Sequence, residues 1–212
     1  MIDRLPRPMH ELMAAIFRYT PINCCALLIG AAFSLWTVGP AHGADLKPPS
    51  SMIGKIEPAR IVPRVYERLS PETASVVLNL SKQRAYLMLG DEVALETPIS
   101  SGKRSHPTPT GTYTISEKVI DKRSNIYGNF VDSSGRIVKG GVSTKIDSAP
   151  AGTRFLGAPM KYWMRLTDYG IGMHVGNLPG YPASHGCVRL PEELAERIYA
   201  KTKVGTPVKV VR

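Results

Sequence analysis

Turn-forming residues interrupt this chain every few positions from Ser101 onward: Ser101-Gly102, Pro107, Pro109-Thr110-Gly111, Gly128, Ser133-Ser134-Gly135 and Gly140-Gly141. No long helix can be threaded through such punctuation, because glycine weakens a helix interior and proline breaks it. Short strands are what remains. Before this stretch, Val76, Leu78 and Leu80 alternate with Ser75, Val77, Asn79 and Ser81. Tyr86-Leu87-Met88-Leu89 follows after the polar Lys82-Gln83-Arg84, which reads as two strands joined by a turn. Val93-Ala94-Leu95, Thr112 to Ile115, Ile137-Val138 and the closing Val208-Lys209-Val210-Val211 are further strand candidates. The expected class is mainly β with one or two short helices.

One late helix fits the pattern. Pro191 suits a first helical position, Glu192 and Glu193 a first turn, and Leu194, Ile198 and Tyr199 share a face before Lys201, Lys203 and Gly205. Tyr162, Trp163 and Met164 before Leu166 read as another strand, packed near the candidate reactive residues. No repeat of solenoid or propeller spacing is present.

The N-terminus has a different character. Cys24 to Val38 is an uncharged apolar run of 15 residues, preceded by Arg4, Arg7 and Arg18 and followed by Ala41-His42-Gly43-Ala44. This layout predicts a signal peptide over residues 1–43, cleaved after Gly43 or Ala44. The run is shorter than the roughly 20 residues that span a bilayer, so an uncleaved anchor is the alternative and the only expected membrane contact. Cys24 and Cys25 open the run and neither follows it, where a lipoprotein signal would need one, so no lipid anchor is expected. Residues 44–73 hold Pro48, Pro49, Pro58, Pro63 and Pro71 with little apolar periodicity and read as a proline-rich linker or arm. Residues 74–212 then form one folded domain, long enough for a single core without disulfides.

Loss of the leader leaves 24 basic against 15 acidic residues, a net charge of +9. Such a protein, exported to the periplasm or cell envelope, is drawn towards anionic envelope polymers. Its Lys and Arg are scattered without an aromatic stripe, which argues against nucleic acid as a partner.

Export also changes the meaning of the cysteines. Cys24 and Cys25 leave with the leader, so Cys187 is alone where cysteines normally pair. A free cysteine can be a small buried hydrophobe. Here the neighbours in Ser184-His185-Gly186-Cys187-Val188-Arg189 argue for nucleophilic chemistry instead. A thiol needs activation at neutral pH, and two histidines, His185 and the upstream His174, compete for that role. Spacing alone does not choose between them. Gly186 permits a backbone geometry closed to other residues, and the amides of His185, Gly186 and Cys187 could converge on an oxyanion. Arg189 offers a planar fork to a carboxylate. His174, His185 and Cys187 could also supply three zinc ligands, but no fourth with metal-site spacing accompanies them, so no metal or other cofactor is expected. His106 reads as a loop residue, and His10 and His42 fall in the leader.

The segment from His174-Val175-Gly176 through Tyr181-Pro182-Ala183-Ser184-His185-Gly186-Cys187-Val188-Arg189-Leu190-Pro191 resembles the signature of L,D-transpeptidases with the YkuD-type catalytic domain. Val77 to Arg84, Pro98-Ile99-Ser100-Ser101-Gly102-Lys103 and Thr108-Pro109-Thr110-Gly111-Thr112-Tyr113 resemble the early strands and turn of that domain. The resemblance covers about Ala74 to Arg212 and implies a β-sandwich-like fold. It implies Cys187 as nucleophile, and His174 as general base oriented by the Val175 carbonyl. Ser184 and His185 would support the loop, Gly186 and its neighbours would form the oxyanion site, and Arg189 would hold a substrate or loop carboxylate. It further implies action on peptidoglycan stem peptides, with transfer of an acyl group from a tetrapeptide stem to the amine of another. Only nine residues separate His174 from Ser184, a short flap for this family.

Overall fold

Alternation along residues 74–79 decides the first sheet. The computed structural model describes residues 56–212; the leader and the first part of the arm lie outside the described residues. In β2 (Ala74–Asn79), Ala74, Val76 and Leu78 are buried while the residues between them are half-buried. The chain then turns through Gln83, whose φ of 50° lies in the left-handed region, and returns antiparallel as β3 (Arg84–Leu89). Ala85 and Leu87 of β3 are also fully buried, so period two is kept on both strands.

β4 (Glu92–Pro98) extends this meander. The last strand, β11 (Pro207–Val211), inserts between β2, to which it is parallel, and β5 (Gly111–Thr114), to which it is antiparallel. With β1 (Arg60–Ile61) on β4, the sheet order is β1-β4-β3-β2-β11-β5. A second sheet has the order β10-β9-β8-β6-β7, formed by β6 (Glu117–Val131), β7 (Ile137–Ser143), β8 (Arg154–Arg165), β9 (Gly172–Val175) and β10 (Val188–Leu190). Val76, Leu78, Leu87 and Leu95 of the first sheet share one core with Met164, Met173, Val188 and Leu190 of the second. The architecture is the expected mainly β sandwich.

Three local readings needed the tertiary structure. The 15-residue β6 carries Glu117, Lys118, Asp121, Lys122 and Arg123 and shows no apolar alternation, so its sequence does not read as a strand. It exists because its backbone pairs with β8 from Glu117↔Arg165 to Val131↔Arg154. The arm does not stay apart as a linker. Its later part forms α1 (Pro63–Arg68), and Val65 and Leu69 sink into the core at 2% exposure each. Pro63 starts the helix where a missing N–H costs nothing. In α2 (Glu192–Ala200), Pro191 stands one position earlier than expected, as the N-cap, and Leu194, Ala195 and Ile198 are buried.

Candidate active site

Parallel pairing of β9 with β10 builds the site. The register sets Val188 across from Met173 and Arg189 across from His174. Cys187 therefore stands at the mouth of β10, level with the start of β9. Its Sγ donates to the Gly170 carbonyl at 3.7 Å, close by the Gly172 backbone that begins β9. The sulfur thus lies against the strand that carries the imidazole two residues on. Burial pushes the thiol above its ordinary pKa, with the Gly172 amide and the Arg189 charge pulling the other way.

His174 is 8% exposed. Its Nδ1 stands 2.7 Å from the Val175 carbonyl oxygen, which can only accept, so Nδ1 carries the proton and Nε2 presents a lone pair. Burial pushes this imidazole down to about 4; the Val175 carbonyl opposes that shift and the Arg189 charge adds to it. At neutral pH the resting pair is a neutral thiol and a neutral imidazole. The Trp163 ring flanks the histidine, centroids 6.1 Å apart.

The loop before Cys187 is tied down from both ends. Ser184, 2% exposed, donates its hydroxyl to the Cys187 carbonyl and accepts the Gly186 N–H at 3.0 Å. The Gly186 amide is therefore occupied within the loop and does not face a substrate oxygen, unlike the expectation for all three amides. Gly186 instead supplies conformation: its φ is +115°. Its carbonyl accepts from Thr108 Oγ1 at 2.7 Å, and Thr108 Oγ1 also accepts the Gly102 N–H at 2.9 Å. Ser100 exchanges backbone bonds with Arg189, and Ser101 accepts the amides of Ala183 and Ser184. Gln83 holds Ser101 in turn, through Ser101 N–H at 2.9 Å and Ser101 Oγ at 2.7 Å.

His185 is exposed and turned to other company. Its ring stacks on Tyr127 at 4.4 Å, meets His106 edge-on at 4.9 Å, and stands 3.1 Å from Lys103 Nζ. Burial, then the charges of Lys103, His106 and Arg189, push its pKa down. Arg189 reaches the Asn177 carbonyl at 3.5 Å and forms no ion pair among the described residues. The loop carboxylate expected for it is not there. No group of three His, Cys, Asp or Glu side chains among the described residues is placed to hold a metal ion. Trp163 belongs to the strand expected to pack near the site; Thr108 and Gln83 also support the site and were not assigned to it from sequence. Thr108 and Gln83 sit in segments whose motif resemblance is visible, but a buried hydrogen bond across 78 residues leaves no local signal.

The L,D-transpeptidase catalytic domain family, YkuD, matches residues 73–210. The chain belongs to that family. A curated relative, probable L,D-transpeptidase 3 of Mycobacterium tuberculosis (strain ATCC 25618 / H37Rv), is 35% identical over 116 residues, covering 52% of this chain and 36% of its own. The chain thus spans about a third of that relative's length. Among solved structures, an L,D-transpeptidase from Mycobacterium smegmatis is 23% identical, with a TM-score of 0.49, covering 66% of this chain and 59% of that one. L,D-transpeptidase 3 from Mycobacterium tuberculosis in complex with a faropenem-derived adduct is 25% identical, with a TM-score of 0.47, covering 66% and 60%.

Proposed function

We propose that this L,D-transpeptidase family member is an exported enzyme of the periplasm or cell envelope that cross-links peptidoglycan through a thioester on Cys187. The observation that carries the reading is the Nδ1 tether of His174 to Val175 O, which keeps Nε2 free as a base on the strand against which the Cys187 sulfur rests. In the proposed reaction His174 Nε2 takes the thiol proton as the sulfur attacks the carbonyl at the L-centre of the third residue of a tetrapeptide stem. The amides of His185 and Cys187, on either side of the occupied Gly186 amide, stabilise the oxyanion. Collapse breaks the amide bond, the imidazolium gives its proton to the departing D-alanine nitrogen, and the thioester remains.

The amine of a second stem then attacks the thioester. His174 accepts its proton, the new amide forms, and the thiol is restored. Outside the cytoplasm no ATP is at hand, so conserving the energy of one amide in a thioester lets another form. The Arg189 guanidinium, which pairs with no carboxylate among the described residues, is the proposed partner for a substrate carboxylate.

Mass analysis of a tetrapeptide stem incubated with the protein tests this. Loss of D-alanine with formation of 3→3 dimers, absent in Cys187→Ala, is the expected result. Shortened stems without dimers would mean that water is the acceptor and the enzyme is an L,D-carboxypeptidase. A lipoprotein lysine as sole acceptor would make it an anchoring transferase. Binding without turnover would leave only a wall-binding module. A carbapenem should likewise acylate Cys187 and add its mass.

A further inference from the structure

Glu117, at the start of β6, takes no part in the chemistry above. Its carboxylate nevertheless accepts three donors: Arg165 Nε at 2.7 Å, Trp163 Nε1 at 3.0 Å and Lys122 Nζ at 3.3 Å. The Arg165 and Trp163 hydrogen bonds hold it at about 2, so it is ionised at any working pH. A buried indole N–H needs one acceptor of any kind. An anion that is itself clamped by two cations fixes the ring's direction as well.

The ring so held is 1% exposed and reaches two residues of β9, His174 and Gly172. One side flanks His174 at an interplanar angle of 41°. Its far edge closes on Gly172, where a methyl group would come within 2.7 Å of the ring and 2.4 Å of the Met164 carbonyl oxygen. Gly172 opens β9 level with Cys187, since Met173 pairs with Val188, and its backbone pulls the thiol's pKa down. One indole therefore abuts both His174 and the glycine level with Cys187.

We propose that Glu117 is a positioning residue, which acts through the Trp163 indole to hold His174 and Gly172 in register with Cys187. This rests on the Cys187–His174 reading above. Arg189 from β10 is the charge that faces His174; Glu117 and Arg165, from β6 and β8, stand behind Trp163. Release of the indole lets water reach the imidazole and relaxes the burial that depresses it.

The test uses the full chain with Glu117→Gln, Trp163→Phe and the double variant. Iodoacetamide alkylation of Cys187 is followed against pH, alongside stem turnover and thermal melting. Both single variants should move the acid limb of alkylation upward, towards the ordinary imidazole value near 6.5. They should lower kcat by about tenfold while changing KM less than about twofold. The double variant should fall no further than either single one. An unmoved limb with only a lower melting temperature would make Glu117 a mere strut and overturn the proposal, as would additive losses. Should Glu117→Gln fail to fold, Trp163→Phe, which keeps the aromatic bulk, decides alone. Alkylation needs no substrate, so a wild-type protein inert to stems refutes the proposed function while the comparison of limbs still reads.

Discussion

Thr108 Oγ1 donates to the carbonyl of Gly186, the residue before the nucleophile, at 2.7 Å. With the Gly102 amide as its second partner, this one hydroxyl joins the turn before β5 to the catalytic loop. Thr108→Val keeps the shape and leaves a buried carbonyl and amide unmet. Stability should fall by about 1–3 kcal/mol, read from the urea midpoint, and Thr108→Ser should recover most of it.

Neutral thiol and neutral imidazole at rest dictate the form of the pH–rate profile. Protonation of His174 Nε2 removes the base, so the acid limb of kcat/KM should lie near its value of about 4. Burial raises Cys187, so the alkaline limb should lie above the ordinary thiol range. Activity should therefore be flat across neutrality. A limb close to 6.5 would show that His174 is more hydrated than this site allows. His174→Gln should lower kcat/KM by roughly 10²–10⁴-fold.

The same burial ties stability to pH. The unfolded chain binds a proton at His174 more tightly than the fold does, so this residue's stabilising effect is complete above 6.5 and is lost as pH falls towards about 4. The loss should be on the order of 3 kcal/mol. Glu117 acts lower, with stability lost between its ordinary value of 4.5 and about 2. Urea midpoints at pH 7 and pH 4 should therefore converge in His174→Gln relative to wild type.

Gly186→Ala should damage the loop in two ways. Its φ of +115° strains any L side chain, and the added carbon would stand 3.0 Å from Ile171 Cδ1. A destabilisation of about 1–3 kcal/mol is expected, with a fall in alkylation of Cys187. Gly90→Ala is the control, since at φ +57° a Cβ there meets nothing within 4 Å. It should leave Cys187 reactivity unchanged.

Much of this was legible locally. The β2 and β3 strands are written in the alternation of Val76 and Leu78 with their half-buried neighbours, and α2 in its acidic first turn. The isolated thiol between His185 and Arg189 marks the reactive loop in plain text. By contrast, nothing in Glu117–Arg123 announces a strand, because β6 is held by backbone pairing that is blind to side-chain pattern. Val65 and Leu69 stand among prolines and charges, and only the core they fill explains them.

The two histidines divide these levels most clearly. Residue types and turn chemistry were enough to specify a mainly β domain with a candidate nucleophile at Cys187, since both depend on neighbours along the chain. Which imidazole is sealed beside the Val175 carbonyl and which stacks on Tyr127 depended on the parallel pairing of β9 with β10 and on the reach of β6. Those contacts join segments tens of residues apart. Their energies come from burial and register that no local window contains, so the placement of His174 and His185 and the occupation of the Gly186 amide were settled by the fold alone.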